Sequence, residues 1–310
     1  MDIVNLTDHH PGKLRNRWLP HDLKAEKVVF LPDACPGKAP LPTGTSVLTR
    51  QENWRRFAVS DCGCGMRLLR SDQEADSLTL DLWTRVAERL EKEKGGLGDL
   101  GGGNHFLDAL RSRASGRLFV LIHTGSRKQA GLVDDLVGQP AKFDKEFDRV
   151  VNWAARNRAA VQETVESALN CSFEVVLDLP HNTYERLPGG GAIIRKGSVK
   201  ATPGDLNVVP AHIRDDVALM RATDKVEDTL SSLSHGTGRA LPTSEAKELS
   251  PHFDFDALRE EVMIPDLISN RSLRGEAPYA YRGLDQCLKQ LDDCAEVVEC
   301  FQVIGYIGHL

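Results

Sequence analysis

The sequence predicts a single α+β domain over residues 1–310, and three observations predict it. Short apolar runs of strand length recur along the chain, and two long stretches repeat apolar residues at helical spacing. The two kinds of segment mix without the regular strand–helix–strand alternation of a doubly wound sheet. No polar linker is long enough to force a domain boundary, and a hydrophobic content of 41% beside 27% charged residues suits a chain that buries a sizeable core.

Taken in order, residues 28–31 form an apolar strand that runs into the turn-rich segment Pro32-Asp33-Ala34-Cys35-Pro36-Gly37-Lys38, expected as a loop over 32–38. Residues 76–94 set Leu82, Val86 and Leu90 on one helical face, and Gly95-Gly96 ends that helix. The continuous apolar run 118–122 reads as a buried strand delivering His123 at its end. A second helix is expected over 141–170, striped by Phe143, Phe147, Val150, Val151, Ala154, Val161, Val165 and Leu169. Residues 173–179 form another strand, which places His181 just after Pro180. Strand pieces follow at 192–195, 207–209 and 217–221, then a helix over 284–295 and a strand over 296–304.

Charge and composition narrow the function classes. A formal net charge of -6 argues against a nonspecific nucleic-acid coat, although phosphate recognition depends on where the charge sits. Met1-Asp2-Ile3-Val4 does not open a basic-then-apolar leader, and no stretch has the length of a membrane span. Seven cysteines, an odd number without a framework, fit a reducing compartment. The expectation is a cytoplasmic protein with no membrane partner.

Three glycine-rich runs carry candidate chemistry: Asp61-Cys62-Gly63-Cys64-Gly65, Gly101-Gly102-Gly103-Asn104-His105 and His235-Gly236-Thr237-Gly238-Arg239. Asp61 and Cys64 offer a hard oxygen and a thiolate within one turn, and a bound divalent ion would hold the cysteine deprotonated. Cys62 competes for the same role. With His105, His123 and His181 the donors suffice for two ions sharing one sulfur, and the mixture suits Mn, Fe, Co or Zn better than Mg or Ca. A neutral His235 can attack an α-phosphate, with Arg239 and loop N–H groups stabilising phosphoryl charge. The basic clusters Arg195-Lys196-Gly197 and Ser126-Arg127-Lys128 could hold phosphates, although solvated charged faces explain most such clusters. His9, His10, His21, His212, His252 and His309 lack such context.

With these segments in one order, the chain resembles the RtcB family of GTP-dependent RNA ligases. The resemblance runs from about residue 30 to 285 through Pro32-Asp33, Asp61-Cys62-Gly63-Cys64-Gly65-Met66, Gly101-Gly102-Gly103-Asn104-His105-Phe106, His123-Thr124-Gly125-Ser126-Arg127, His181-Asn182, Arg195-Lys196-Gly197, Ser234-His235-Gly236-Thr237-Gly238-Arg239 and Ala280-Tyr281. It implies mixed sheets packed together and flanked by helices around a central metal pocket. It implies one Mn ion on Asp61, Cys64 and His105, a second on Cys64, His123 and His181, and guanylation of His235 by GTP. Asn104 then contacts phosphate, Asp108 stands where the family reads guanine with a glutamate, and Tyr281 lies near the base. His235, Gly236, Gly238 and Arg239 complete the implied nucleotide site, with Arg127, Arg195 and Lys196 facing RNA or its phosphates. The implied reaction joins an RNA 3′-phosphate or 2′,3′-cyclic phosphate to a 5′-hydroxyl, in RNA repair or tRNA splicing. The implied partners are broken RNA ends, GTP and an accessory protein of the release-factor-like or archease-like kind. The chain departs from the family at Cys35, which takes the histidine place of Pro-Asp-x-His, and in Gly305-Tyr306-Ile307-Gly308-His309-Leu310, which has no lysine. A cyclic-phosphate phosphodiesterase without guanylation and a noncatalytic RNA-end binder are the alternative readings.

Overall fold

Fourteen strands among the described residues make three sheets, with strands β1 (Asp2–Asn5), β2 (Lys27–Cys35), β3 (Thr43–Thr49), β4 (Gly65–Glu74), β5 (Phe106–Ser112), β6 (Arg117–Thr124), β7 (Glu174–Pro180), β8 (Asn182–Arg186), β9 (Ala192–Lys196), β10 (Ser198–Lys200), β11 (Leu206–Pro210), β12 (Asp216–Ala222), β13 (Ser232–Ser234) and β14 (Ala295–Gly308). The structure, a computed structural model, describes residues 1–36, 40–57, 59–308 and 310; the side chains of Arg127 and Lys128 lie outside that description. A seven-stranded sheet runs in the order β11-β12-β14-β5-β6-β4-β7, a five-stranded one in the order β1-β2-β3-β9-β8, and β10 pairs with β13. Only β1 and β2 pair in parallel among these ladders. The α+β class expected from the mixed patterning is the class observed.

Two helices hold the sheets. Leu80–Lys92 buries Trp83, Val86, Ala87 and Leu90, the face set by the apolar spacing. It starts at Leu80 rather than near 76, because Ala75–Ser77 forms a separate 3₁₀ turn and the Thr79 side chain caps the helix by accepting from the Leu82 N–H at 3.3 Å. The helix Pro140–Leu169 begins on a proline and ends where Asn170 turns left-handed. Its first half packs Phe143, Phe147 and Val150 into the core of the five-stranded sheet. Its second half packs Val161, Val165 and Ala168 into the core of the seven-stranded sheet. Leu90→Ala, at a position 1% exposed in that second core, is expected to lower unfolding free energy in urea by about 2–5 kcal/mol.

Two element boundaries differ from expectation for identifiable reasons. The strand at 28–31 continues to Cys35 through the segment expected as a loop. Its ladder to β3 breaks between Phe30 and Cys35, so Pro32 forfeits no ladder bond there. Arg282 instead donates to the Pro32 and Ala34 carbonyls at 2.6 and 3.0 Å. Gly37 and Lys38 of that segment lie outside the described residues. The helix expected over 284–295 stops at Leu291, and Ala295 already belongs to β14. No helix among the described residues is long and apolar enough to cross a membrane.

Candidate active site

Neighbouring strands lie about 4.8 Å apart, so residues at the same end of adjacent strands come within reach of one another. Across β5, β6, β4 and β7, Phe106 sits opposite His123, Met66 opposite His123, and Gly65 opposite both Thr124 and Pro180. The residues at that end are therefore Cys64, His105, His123 and His181. Cys64 Sγ lies 3.4 Å from His105 Nε2 and 3.3 Å from His123 Nε2. These three offer donor atoms within 4.8 Å of one another, and all three are buried. His105 Nε2 is also 3.1 Å from Asp61 Oδ2, and the His181 ring centroid stands 5.1 Å from that of His123.

The donor set fits a metal. Nδ1 of both His123 and His181 is buried without a hydrogen-bond partner, and burial lowers the pKa of both rings, favouring the neutral form that binds cations. Burial pushes the Cys64 thiol well above its ordinary pKa, with Asp61 adding to the effect, so a bound cation is what would favour the thiolate. Burial alone would raise Asp61, but its hydrogen bond and charge interaction with His105 hold the carboxyl below the usual carboxylate range. Asp61 adopts φ 53, a left-handed conformation that costs free energy and is common where function fixes a side chain. Its Oδ1 accepts from the Ser126 N–H at 3.1 Å, and the Asn182 amide donates to its carbonyl at 3.2 Å.

Cys62, left open by the sequence as a rival ligand, turns the other way. Its Sγ donates to the Val59 carbonyl at 3.2 Å and sits in the core of the five-stranded sheet, where burial raises its pKa to about 12. Gly63 makes the divergence possible: at φ 72 it reverses the chain, and a Cβ there would lie 2.8 Å from the Val151 Cα.

His235 leaves the end of β13 beside these residues. Its ring centroid is 4.4 Å from that of His181 and 6.2 Å from that of His123. Nδ1 is 2.6 Å from Oδ2 of Asp33, which is wholly buried and also accepts from Ser234 Oγ at 2.9 Å. The loop is pinned on both sides, with Thr237 N–H donating to the Pro210 carbonyl and Arg282 N–H to that of Gly238. Gly238 has φ 75, and a Cβ there would lie 2.5 Å from the Asp33 carbonyl oxygen, so only glycine lets the loop close on β2.

A cleft of about 710 Å³ opens over this cluster, lined by His123 and His235 together with Asn104, Asp108, Gly236, Gly238, Arg239 and Tyr281. Its size and mixed lining suit a nucleotide. Asp108 is 6% exposed, burial raises its pKa well above the usual range, and its Oδ1 has no hydrogen-bond partner. Arg239 donates to Glu276 at 3.1 Å and to Tyr281 Oη at 3.0 Å, and its guanidinium lies 4.8 Å from the Tyr281 ring centroid. Tyr281 Oη also donates to Glu276, whose pKa burial raises. Cys35 and His212 line the same cleft.

The basic candidates separate. Arg195 is 1% exposed and donates to Ser232 Oγ, Glu185 and the Leu230 carbonyl. Those bonds commit its guanidinium to joining β9 to the turn before β13, which corrects the expectation that it faces RNA phosphates. Lys196 donates to Ser60 O and Oγ, both at 3.2 Å, beside the Asp61 turn. The Arg127 side chain lies outside the described residues. Asp33 and Glu276 were not among the candidate site residues. Pro32-Asp33 was visible as a motif without a role, whereas nothing local marks Glu276.

A carboxylate-oriented histidine beside a cysteine and imidazole cluster, under a nucleotide-sized cleft, can support metal-assisted phosphoryl or nucleotidyl transfer. Residues 139–308, more than half of the chain, match the family described as tRNA-splicing ligase RtcB, and the chain belongs to that family. It is 27% identical to the RNA-splicing ligase RtcB2 of Escherichia coli, an alignment that spans 91% of this chain and 84% of that relative. It is 24% identical to the RNA-splicing ligase RtcB of Escherichia coli K12, over 65% of this chain and 58% of the relative. The tRNA-splicing ligase RtcB of Pyrobaculum aerophilum is also 24% identical, over 66% of this chain and 58% of its own length.

Proposed function

We propose that the protein is a GTP-dependent RNA ligase that joins RNA 3′-phosphate or 2′,3′-cyclic phosphate ends to 5′-hydroxyl ends through a guanylated His235. Residues 1–310 act as one ligase domain in this reading. The observation that carries it is His235, held by Asp33 and lying beside His181 at the wall of the cleft. The seven free cysteines suit work in the cytoplasm.

With Asp33 accepting from Nδ1–H, the lone pair of His235 resides on Nε2. Nε2 attacks the α-phosphorus of GTP, and the bond to the bridging oxygen breaks to release pyrophosphate. A terminal RNA 3′-phosphate oxygen then attacks the same phosphorus and frees the imidazole. A 5′-hydroxyl finally attacks the activated 3′-phosphate, expelling GMP and sealing the strand. A cyclic end is first opened by water. Asp61, Cys64 and His105 would hold one Mn ion and Cys64, His123 and His181 the other, and bound metal supplies charge neutralisation on phosphoryl oxygens. Asn104, Asp108, Arg239, Glu276 and Tyr281 line the cleft that would take the nucleotide, and Arg239 is itself held there by Glu276 and Tyr281.

The test incubates the protein with α-labelled GTP and Mn, followed by RNA bearing 3′-phosphate and 5′-hydroxyl ends. An acid-labile protein adduct and a sealed product are expected. Opening of cyclic phosphate with no adduct would instead assign a phosphodiesterase, and salt-dependent binding of RNA ends without turnover a binding protein. Asp33→Asn sets an amide donor against Nδ1 and displaces the proton to Nε2. Adduct formation in a rapid-quench assay is expected to slow by about 10³–10⁴-fold, with metal content unchanged.

A further inference from the structure

The helix Pro140–Leu169 is amphipathic, yet its buried face carries two adjacent polar residues, Asn157 and Arg158, at 0% and 1% exposure. Burying an arginine is costly, and replacing a buried ion pair by apolar side chains of similar volume is often neutral or stabilising. Stability alone therefore gives little reason for this pair. Their hydrogen bonds give another reason.

Arg158 Nε forms an ion pair with Asp178 of β7, and Nη1 donates to two carbonyls, Gly63 at 3.0 Å and Thr124 at 3.3 Å. Gly63 lies inside the Asp61–Cys64 turn, and Thr124 follows His123. Asn157 Oδ1 accepts from the Gly98 N–H at 2.7 Å, and Nδ2 donates to the Asp99 carbonyl at 2.9 Å. Thr124 Oγ1 donates to the neighbouring Leu100 carbonyl at 2.7 Å. Residues 98–100 lead directly into the glycine run before His105. Two successive side chains on one rigid helix thus grip the backbone of all three segments that supply Cys64, His105 and His123.

We propose that Asn157 and Arg158 are positioning residues for the metal centre, a brace that fixes the three ligand-bearing segments at coordinating distance before metal arrives. The inference rests on reading the Cys64, His105 and His123 cluster as a metal site. The donors come from separate strand ends and a glycine-rich loop, so their mutual distance is not set by any single element. Strand register gathers them at one end of the sheet, and a brace from outside the sheet holds the turn and loop that carry them. Outer-shell partners of this kind contribute about 10–100-fold to metal affinity in other sites. Arginine is suited to the position because its planar fork can serve the Asp178 carboxylate and two carbonyls at once, which a lysine ammonium on a flexible stem cannot.

The test uses the metal-free full chain and Co(II) as the probe, titrated while the thiolate-to-cobalt absorption is followed, with thermal melting of the same samples. Arg158→Lys keeps the charge beside Asp178. Arg67→Lys is the control, because the Arg67 guanidinium pairs with the same Asp178 at 3.1 Å and donates to Gln162 rather than to Gly63, Thr124 or residues 98–100. Arg158→Lys is expected to weaken Co(II) binding by about tenfold or more and to alter the ligand-field bands, while Arg67→Lys leaves both as in wild type. Asn157→Ala, which leaves every charge in place, is expected to shift Co(II) affinity in the same direction and serves if Arg158→Lys does not fold. Co(II) affinity and spectrum unchanged in Arg158→Lys, or in Asn157→Ala when only that variant folds, would overturn the brace while leaving the metal reading intact. Wild-type protein that takes up no Co(II) would overturn both.

Discussion

His235→Ala is expected to abolish the GTP-derived protein adduct and to lower RNA sealing by at least about 10⁴-fold, the scale seen when a covalent nucleophile is removed. The ring bonds to Asp33 through Nδ1 and otherwise lies tilted beside His181 and edge-on to His123, so truncation removes chemistry more than packing. Melting temperature and metal content are expected to stay close to wild type. The comparison with Asp33→Asn is informative because the two act at different levels. Loss of the ring removes the attacking atom, whereas loss of the carboxylate misplaces its proton, so Asp33→Asn should form adduct slowly and His235→Ala none. An adduct of undiminished yield in His235→Ala would move the nucleophile elsewhere.

Cys64→Ser is expected to release bound metal and to abolish ligation, because it removes the sulfur that lies within 3.4 Å of both His105 Nε2 and His123 Nε2. Cys62→Ser, two residues away, should do the opposite. It buries a hydroxyl in an apolar core, which costs about 1–3 kcal/mol, yet leaves the donors in place. Metal analysis and urea unfolding of the two variants therefore give crossed results: metal lost with stability largely kept, against metal kept with stability lost. Equal metal loss in both would reopen the choice of cysteine.

The candidate chemistry-bearing residues were legible as an ordered set of runs, since each run alone has an ordinary structural explanation. A histidine at the end of an apolar strand and a cysteine between glycines both mark strand-end turns, and the antiparallel register of β4 with β6 and β7 gathers them. Long amphipathic helices were legible from spacing, with ends displaced where the Thr79 cap or the entry into β14 overrode it. Strands such as β3 and β5 escaped because their alternation is broken by buried Thr45, Ser46 and Asp108. The partners of the site were harder to see for a different reason. Asp33 acts on a residue 202 positions away, and Asn157 and Arg158 look like ordinary polar breaks in a helical stripe. Nothing in local patterning reports such pairings. Arg195 is the converse case, a basic residue beside site residues whose guanidinium is taken up by Ser232 and Glu185 inside the fold.

Strand β14 inserts between β12 and β5, and Arg282 reaches back 250 positions to the Pro32 carbonyl. The cleft thus borrows walls from residues as far apart as Cys35 and Tyr306, a topology of high contact order whose closure is expected to be slow. During synthesis the donor cluster can be translated and even paired in β4, β6 and β7 long before Tyr281, Arg282 and residues 295–308 emerge from the ribosome. A nascent chain at that stage exposes soft ligands without the pocket that disciplines them. Closure of the cleft therefore waits on Tyr281, Arg282 and β14, the parts of its surround that are synthesised last.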